Sequence, residues 1–152
     1  INKIQSYQIG ISNKTEFTNL HLSNFSPGES HHSVGENALG HNNLKKINRE
    51  YKQGIFSTTL DDLCFKWGFP IPNYIKIDVD GIENKIIDKS VKTISNPLVE
   101  SILIEINENR EEDRQIIKIL KKIGFQFNNN QVAQARRKSG SHKDYAEYLF
   151  YK

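Results

Sequence analysis

Two places in this sequence set acids at the end of an apolar run. One is Ile75-Lys76-Ile77-Asp78-Val79-Asp80-Gly81-Ile82-Glu83, and the other is Ile102-Leu103-Ile104-Glu105-Ile106. Side chains alternate between faces along a strand, so Asp78 and Asp80 share a side if the strand runs that far. Gly81 permits a sharp turn or the close approach of a ligand. Glu83 falls in the first turn of a following helix, where an acid also suits the helix dipole. Three acids at one strand exit can bind a hydroxyl, an amine or a hard divalent cation. The plainer role for Asp80 and Glu83 is to cap the helix. Glu105 lies within an apolar strand, where a carboxylate must be paired, hydrogen-bonded or at the mouth of a site.

Other constellations point less far. Asp78-Val-Asp80-Gly81 after an apolar strand also suits a magnesium-dependent phosphatase, with Asp78 as nucleophile and Asp80 as general acid. Such an enzyme needs a late acidic pair after a strand, and Glu111-Glu112-Asp113 falls on an apparent helix instead. His21, His31, His32 and His41 cluster in one stretch without metal-ligand spacing, and no metal site is expected. Cys64, the single cysteine, excludes an internal disulfide and reads as a small buried residue. Arg136-Arg137-Lys138 reads as a solvated loop rather than a phosphate contact, and His142 as exposed.

The acids need elements to hold them. Tyr74 to Val79 is the clearest strand, followed by Ile82, Ile86, Ile87, Val91 and Ile94 at helical spacing. Residues 101–106 form a second buried strand, and Ile116, Ile117, Leu120 and Ile123 mark the helix after it, closed by Gly124. Phe125-Gln-Phe127 begins another strand, and Tyr148-Leu-Phe-Tyr151 makes the last; residues 128–147 between them read as loop. Upstream, residues 4–11 and 16–22 alternate as strands, and residues 23–50 read as a long loop of a kind that is usually functional or mobile. Ile55 to Thr58 is a short strand. Thr59 then N-caps a helix carrying Leu60, Leu63, Cys64 and Trp67 on one buried face. Ile-rich strands alternating with amphipathic helices predict an α/β sandwich with a mostly parallel sheet and an antiparallel last strand. In such sheets ligands lie beyond the C-terminal strand ends, where the acids are.

Composition narrows the classes. The chain has 152 residues, enough for one compact domain, and a net charge of only +3, with no coherent basic stripe. No nucleic-acid partner is expected. No apolar run approaches ~20 residues, so no membrane span is expected either, and a cytoplasmic location follows from the lack of a signal-peptide layout. The sequence begins at Ile1 and contains no Met, which raises the expectation that it is incomplete at its front.

Thr59-Leu-Asp-Asp-Leu63, Tyr74-Ile-Lys-Ile-Asp-Val-Asp-Gly-Ile-Glu83 and Ile102-Leu-Ile-Glu-Ile106 together resemble the FkbM family of S-adenosylmethionine-dependent methyltransferases. Asp80 stands where that family usually has Glu, and Gly10 where Ala is common. The resemblance implies a class I, Rossmann-like three-layer sandwich, O-methylation of a small-molecule or glycan hydroxyl, and S-adenosylmethionine as cofactor. It further implies that this chain is a partial domain over residues 1–152 that enters near the third strand. The expected strands are then 4–11, 74–79, 101–106, 125–127 and 148–151 as strands three to seven. Gly10, Ile11 and Ser12 would border the adenine, Asp78 would stand near the reacting methyl group, and Asp80, Glu83 and Glu105 would shape the acceptor side. The principal cofactor loop would precede Ile1, leaving a fragment inactive alone with an open sheet edge suited to self-association. The rival readings are a noncatalytic interaction module and the magnesium-dependent phosphatase.

Overall fold

The structure, a computed structural model, describes residues 4–22, 33–34, 51–79 and 81–152. The expected loop over 23–50, except Ser33 and Val34, and the acid Asp80 lie outside the described residues. In chain order the elements are β1 (Ile9–Ile11), β2 (Glu16–Leu22), β3 (Ser33–Val34), β4 (Tyr51–Thr58), α1 (Leu60–Phe65), β5 (Tyr74–Ile77), α2 (Glu83–Asp88), α3 (Val91–Ile94), β6 (Ser101–Ile106), α4 (Glu111–Ile123), α5 (Asn129–Ala135) and β7 (Ala146–Tyr151).

The strands form two sheets, ordered β1-β4-β2-β3 and β5-β6-β7. The expected mostly parallel sheet is not what the described residues build. Only β1 with β4 and β5 with β6 run parallel; β2 is antiparallel to both β3 and β4, and β7 is antiparallel to β6. The cause is local: Ser12 to Thr15 is too short for a crossover, so β1 and β2 cannot lie as parallel neighbours. The antiparallel last strand is present as expected.

Around the second sheet the core follows from alternation. Ile102, Ile104 and Ile106 on β6, with Ala146, Tyr148 and Phe150 on β7, point to one face and are buried. Ile86 and Ile87 of α2, Ile94 of α3, and Ile116 and Leu120 of α4 pack onto that face. The opposite face carries Tyr74, Lys76, Leu103, Glu105, Glu147, Leu149 and Tyr151, and Tyr74 is 70 % exposed. Of the three layers expected, the described residues supply this sheet and the helices on one side of it.

Three further expectations change. The helix drawn from Ile82 to Ile94 is two helices. Ser90, whose hydroxyl donates to the Ile86 carbonyl at 2.6 Å, separates them. Residues 128–147 are not all loop: Asn128 accepts from the amides of Asn130 and Gln131 and caps α5. That cap ends the strand expected at 125–127, which is reduced to a bridge between Gln126 and Tyr151. Trp67 is not on the buried face of α1, because the helix stops at Phe65; its ring stands against Phe56, 50 % exposed.

Candidate active site

β5 ends at Ile77, whose parallel partner is Ile104. The next residue on each strand is an acid, so Asp78 emerges beside Glu105 at the C-terminal end of the parallel pair. In the antiparallel ladder Glu105 faces Glu147. Three acids therefore line up across the open face at the strand ends. Lys76, two residues before Asp78 and on the same side, reaches it at 2.9 Å, with both side chains largely exposed. That exposed pair orients Asp78 and adds little to stability.

Glu105 is the half-buried member of the row, with its side chain 17 % exposed. Burial pushes its carboxyl above the ordinary glutamate range, and Asp78 and Glu147 push the same way. Arg137 and His142 oppose that shift. The Arg137 guanidinium lies 2.8 Å from Glu105 Oε1. Arg137 and its neighbour are thus not a free solvated loop. Arg136 donates to the Asp144 carbonyl at 2.9 Å and to Tyr148 Oη at 3.2 Å, and pairs with Glu108 at 2.8 Å. Tyr148 donates a short hydrogen bond to the same Glu108 oxygen. His142 is only partly exposed and meets the Tyr145 ring edge-on.

Glu83 is elsewhere. It opens α2 and is 4 % exposed, beneath the turn that follows Asp78. Gly81, at φ 92°, makes that turn in a conformation other residues resist, and its amide donates to Glu83 Oε1 at 3.3 Å. Burial pushes the Glu83 carboxyl up to about 7, and the nearby Asp113 carboxylate adds to this; its own amide, the Gly81 amide and Arg110 act against it. Asp113 is itself buried, accepts from the Asn107 amide at 2.8 Å and lies 3.8 Å from Arg110. The late acids are therefore in the first turn of α4, with Asp113 tied into the core, rather than at the end of a strand as the phosphatase reading needs.

The Thr-Leu-Asp-Asp-Leu segment holds elements together. Thr59 Oγ1 accepts from the Asp62 amide at 2.9 Å, the expected N-cap. Asp61 accepts from the amides of Lys92 and Thr93 at 3.1 and 2.7 Å, which caps α3 from another helix. Asp62 accepts from Thr15 Oγ1 in the β1–β2 connection. Cys64 is buried, and burial pushes its thiol up, away from nucleophilic use.

Gly10, Ile11 and Ser12 lie on and just after β1, on the first sheet. A Cβ added at Gly10 would meet Ile55 Cδ1 at 2.9 Å and Val34 Cγ2 at 3.2 Å. The chain's own side chains thus fill the space that the glycine leaves. Ile11 packs against the main core, and the Ser12 amide donates to the Thr58 carbonyl at 2.9 Å. For S-adenosylmethionine the acids at the strand ends fit a cationic, amine-bearing group, whereas Gly10 leaves no hollow. Among the described residues no three His, Cys, Asp or Glu side chains converge into a metal cluster, and no helix is long and apolar enough to cross a membrane. His31, His32 and His41 lie outside the described residues.

Sequence reasoning did not include Arg137 or Glu147 in the site. The alternation of β7, carried one residue back from the buried Tyr148, could have placed Glu147 on the open face; only the strand register sets it against Glu105. Arg137 had no local signal, since loop folding alone brings it there. A family model for the methyltransferase FkbM domain matches residues 1–127. No curated protein and no solved structure matches the chain. The matched segment holds Asp78, Glu83 and Glu105, while Arg137 and Glu147 lie beyond it.

Proposed function

Since the chain belongs to the family of FkbM methyltransferase domains, we propose that it serves methyl transfer from S-adenosylmethionine to a hydroxyl oxygen of a small molecule or glycan. The observation that carries the site assignment is the register of β5 and β6: Ile77 is paired with Ile104, so the next residues, Asp78 and Glu105, stand side by side at the C-terminal strand ends, within the matched segment. Open α/β sheets place ligands at this end.

When bound, the cofactor supplies a sulfonium-activated methyl group. The chain's own contribution is positioning and proton transfer. Asp78, exposed and oriented by Lys76, accepts a hydrogen bond from the acceptor hydroxyl and takes its proton as the oxygen is methylated. Glu105 orients the acceptor from the next strand. Asp80 belongs to this proposal as an acceptor-side acid, whereas the buried Glu83 serves the site only indirectly, by holding the turn through Gly81. Gly10, Ile11 and Ser12 flank the adenine, with the polar contact left to Ser12, since Ile55 and Val34 occupy the space at Gly10. A cytoplasmic location belongs to the same proposal.

The test is incorporation of labelled methyl from S-adenosylmethionine into an extract of cells lacking the enzyme. Asp78→Asn should abolish incorporation while leaving the fold intact by circular dichroism. Unchanged incorporation in that variant removes Asp78 from the reaction. One observation favours the interaction-module reading: β5 has no partner on its outer edge among the described residues. Concentration-dependent association without any methyl transfer would support that alternative.

A further inference from the structure

The segment after α5 is tied down before it reaches the strand ends. The Arg137 amide donates to the Tyr145 carbonyl at 2.8 Å, and the Asp144 amide donates to the Arg137 carbonyl at 2.9 Å. Asp144 closes this ring of backbone bonds at φ 73°. Arg136 fastens the same segment to Glu108 and Tyr148. Both backbone groups of Arg137 are thereby engaged, and its side chain starts from a fixed point. That side chain, 48 % exposed, extends to Glu105 at 2.8 Å.

We propose that Arg137 is a positioning residue for Glu105, holding its carboxylate ionised and in one orientation above the strand ends. The proposal rests on the reading of Glu105 as an acceptor-side residue. The physical need is clear. Glu105 is half-buried and faces Asp78 at the end of β5 and Glu147 on β7, two like charges that favour its neutral form. The groups that favour the carboxylate, Arg137 and His142, both come from the 136–145 segment. Of these, Arg137 meets the carboxylate at ion-pair distance, and its guanidinium is a permanent charge. A carboxylate that must accept a hydrogen bond from a substrate needs to be ionised and stationary, and this contact supplies both conditions.

The experiment is an NMR titration of the Glu105 side-chain carboxyl carbon in the glutamate-labelled protein, assigned by Glu105→Gln. In Arg137→Gln the Glu105 midpoint should rise by about one pH unit or more, the effect of removing an adjacent opposite charge. Arg137→Lys should restore most of the difference. In the methyl-incorporation assay, the acid limb of the pH profile should move upward with the NMR midpoint. If the midpoint in Arg137→Gln stays where it is in the parent protein, the proposal is wrong, even if activity falls. Should Arg137→Gln fail to fold, Arg137→Met, which also removes the charge, is titrated in its place: a Glu105 midpoint raised by about one unit supports the proposal, and a midpoint at the parent value overturns it. The titration needs no substrate, so a parent protein without methyl transfer would sink the proposed function and leave this inference to its own result.

Discussion

Glu83 should make the stability of this protein depend on pH in a direction opposite to most carboxylates. In the unfolded chain it titrates at the ordinary value of 4.5, and in the folded chain at about 7. Below the lower value both states hold the proton, and Glu83 is neutral to stability. Between the two values the folded state keeps a proton that the unfolded state has released, so stability falls as pH rises. The slope is about 1.4 kcal/mol per pH unit, and over the interval the loss is about 3 kcal/mol. Burial at 4 % exposure leaves little solvent to soften the penalty. Glu83→Gln keeps the shape and the acceptor for the Gly81 amide but cannot ionise. Its stability relative to the parent should therefore climb by about 3 kcal/mol between about pH 4 and about pH 8, then level off. Urea denaturation followed through Trp67, the single tryptophan, reads this directly. Taking the difference between variant and parent cancels the other titrating groups. A difference that stays flat across the range would show that Glu83 ionises freely in the fold, and the assignment of burial as the dominant cause would fall.

Two other outcomes follow from the packing. Asp61→Ala removes both acceptors for the Lys92 and Thr93 amides and should cost about 2 kcal/mol, with Asp61→Asn intermediate; thermal denaturation showing no loss in the alanine variant would mean that α3 finds another cap. Ile104→Ala, at the centre of the buried face of β6, should cost about 3–4 kcal/mol in urea denaturation, and a cost under about 1 kcal/mol would place that face outside the cooperative core.

What was legible in the sequence was whatever a single segment encodes. The period-two pattern of residues 101–106 and 148–151 gave strands β6 and β7, and the spacing of Ile116 and Leu120 gave α4. The Thr59 cap and the left-handed Gly124 stop were readable because each acts on its own neighbours. What failed depended on distant partners. Ser90 breaks a run of helical spacing because Asp61, some thirty residues earlier in the chain, caps the helix that begins after it. Asn128 starts a helix in a stretch too polar to show an apolar stripe; Val132 is its one buried residue. The candidate site divides the same way. Asp78 and Glu105 were visible as acids ending apolar runs, and register brings them together. Asp61 and Asp62 stood out as a motif and proved to join elements. Arg137, the cation that meets Glu105, reached it only through the folding of the 136–145 segment.

Under the proposed function this chain serves a methyltransferase that uses S-adenosylmethionine. Isothermal calorimetry of S-adenosylmethionine against the protein expressed from its complete reading frame tests that claim most directly. A saturable heat with one site per chain, retained in Asp78→Asn, is the expected result. A folded protein that gives no heat of binding would contradict the account.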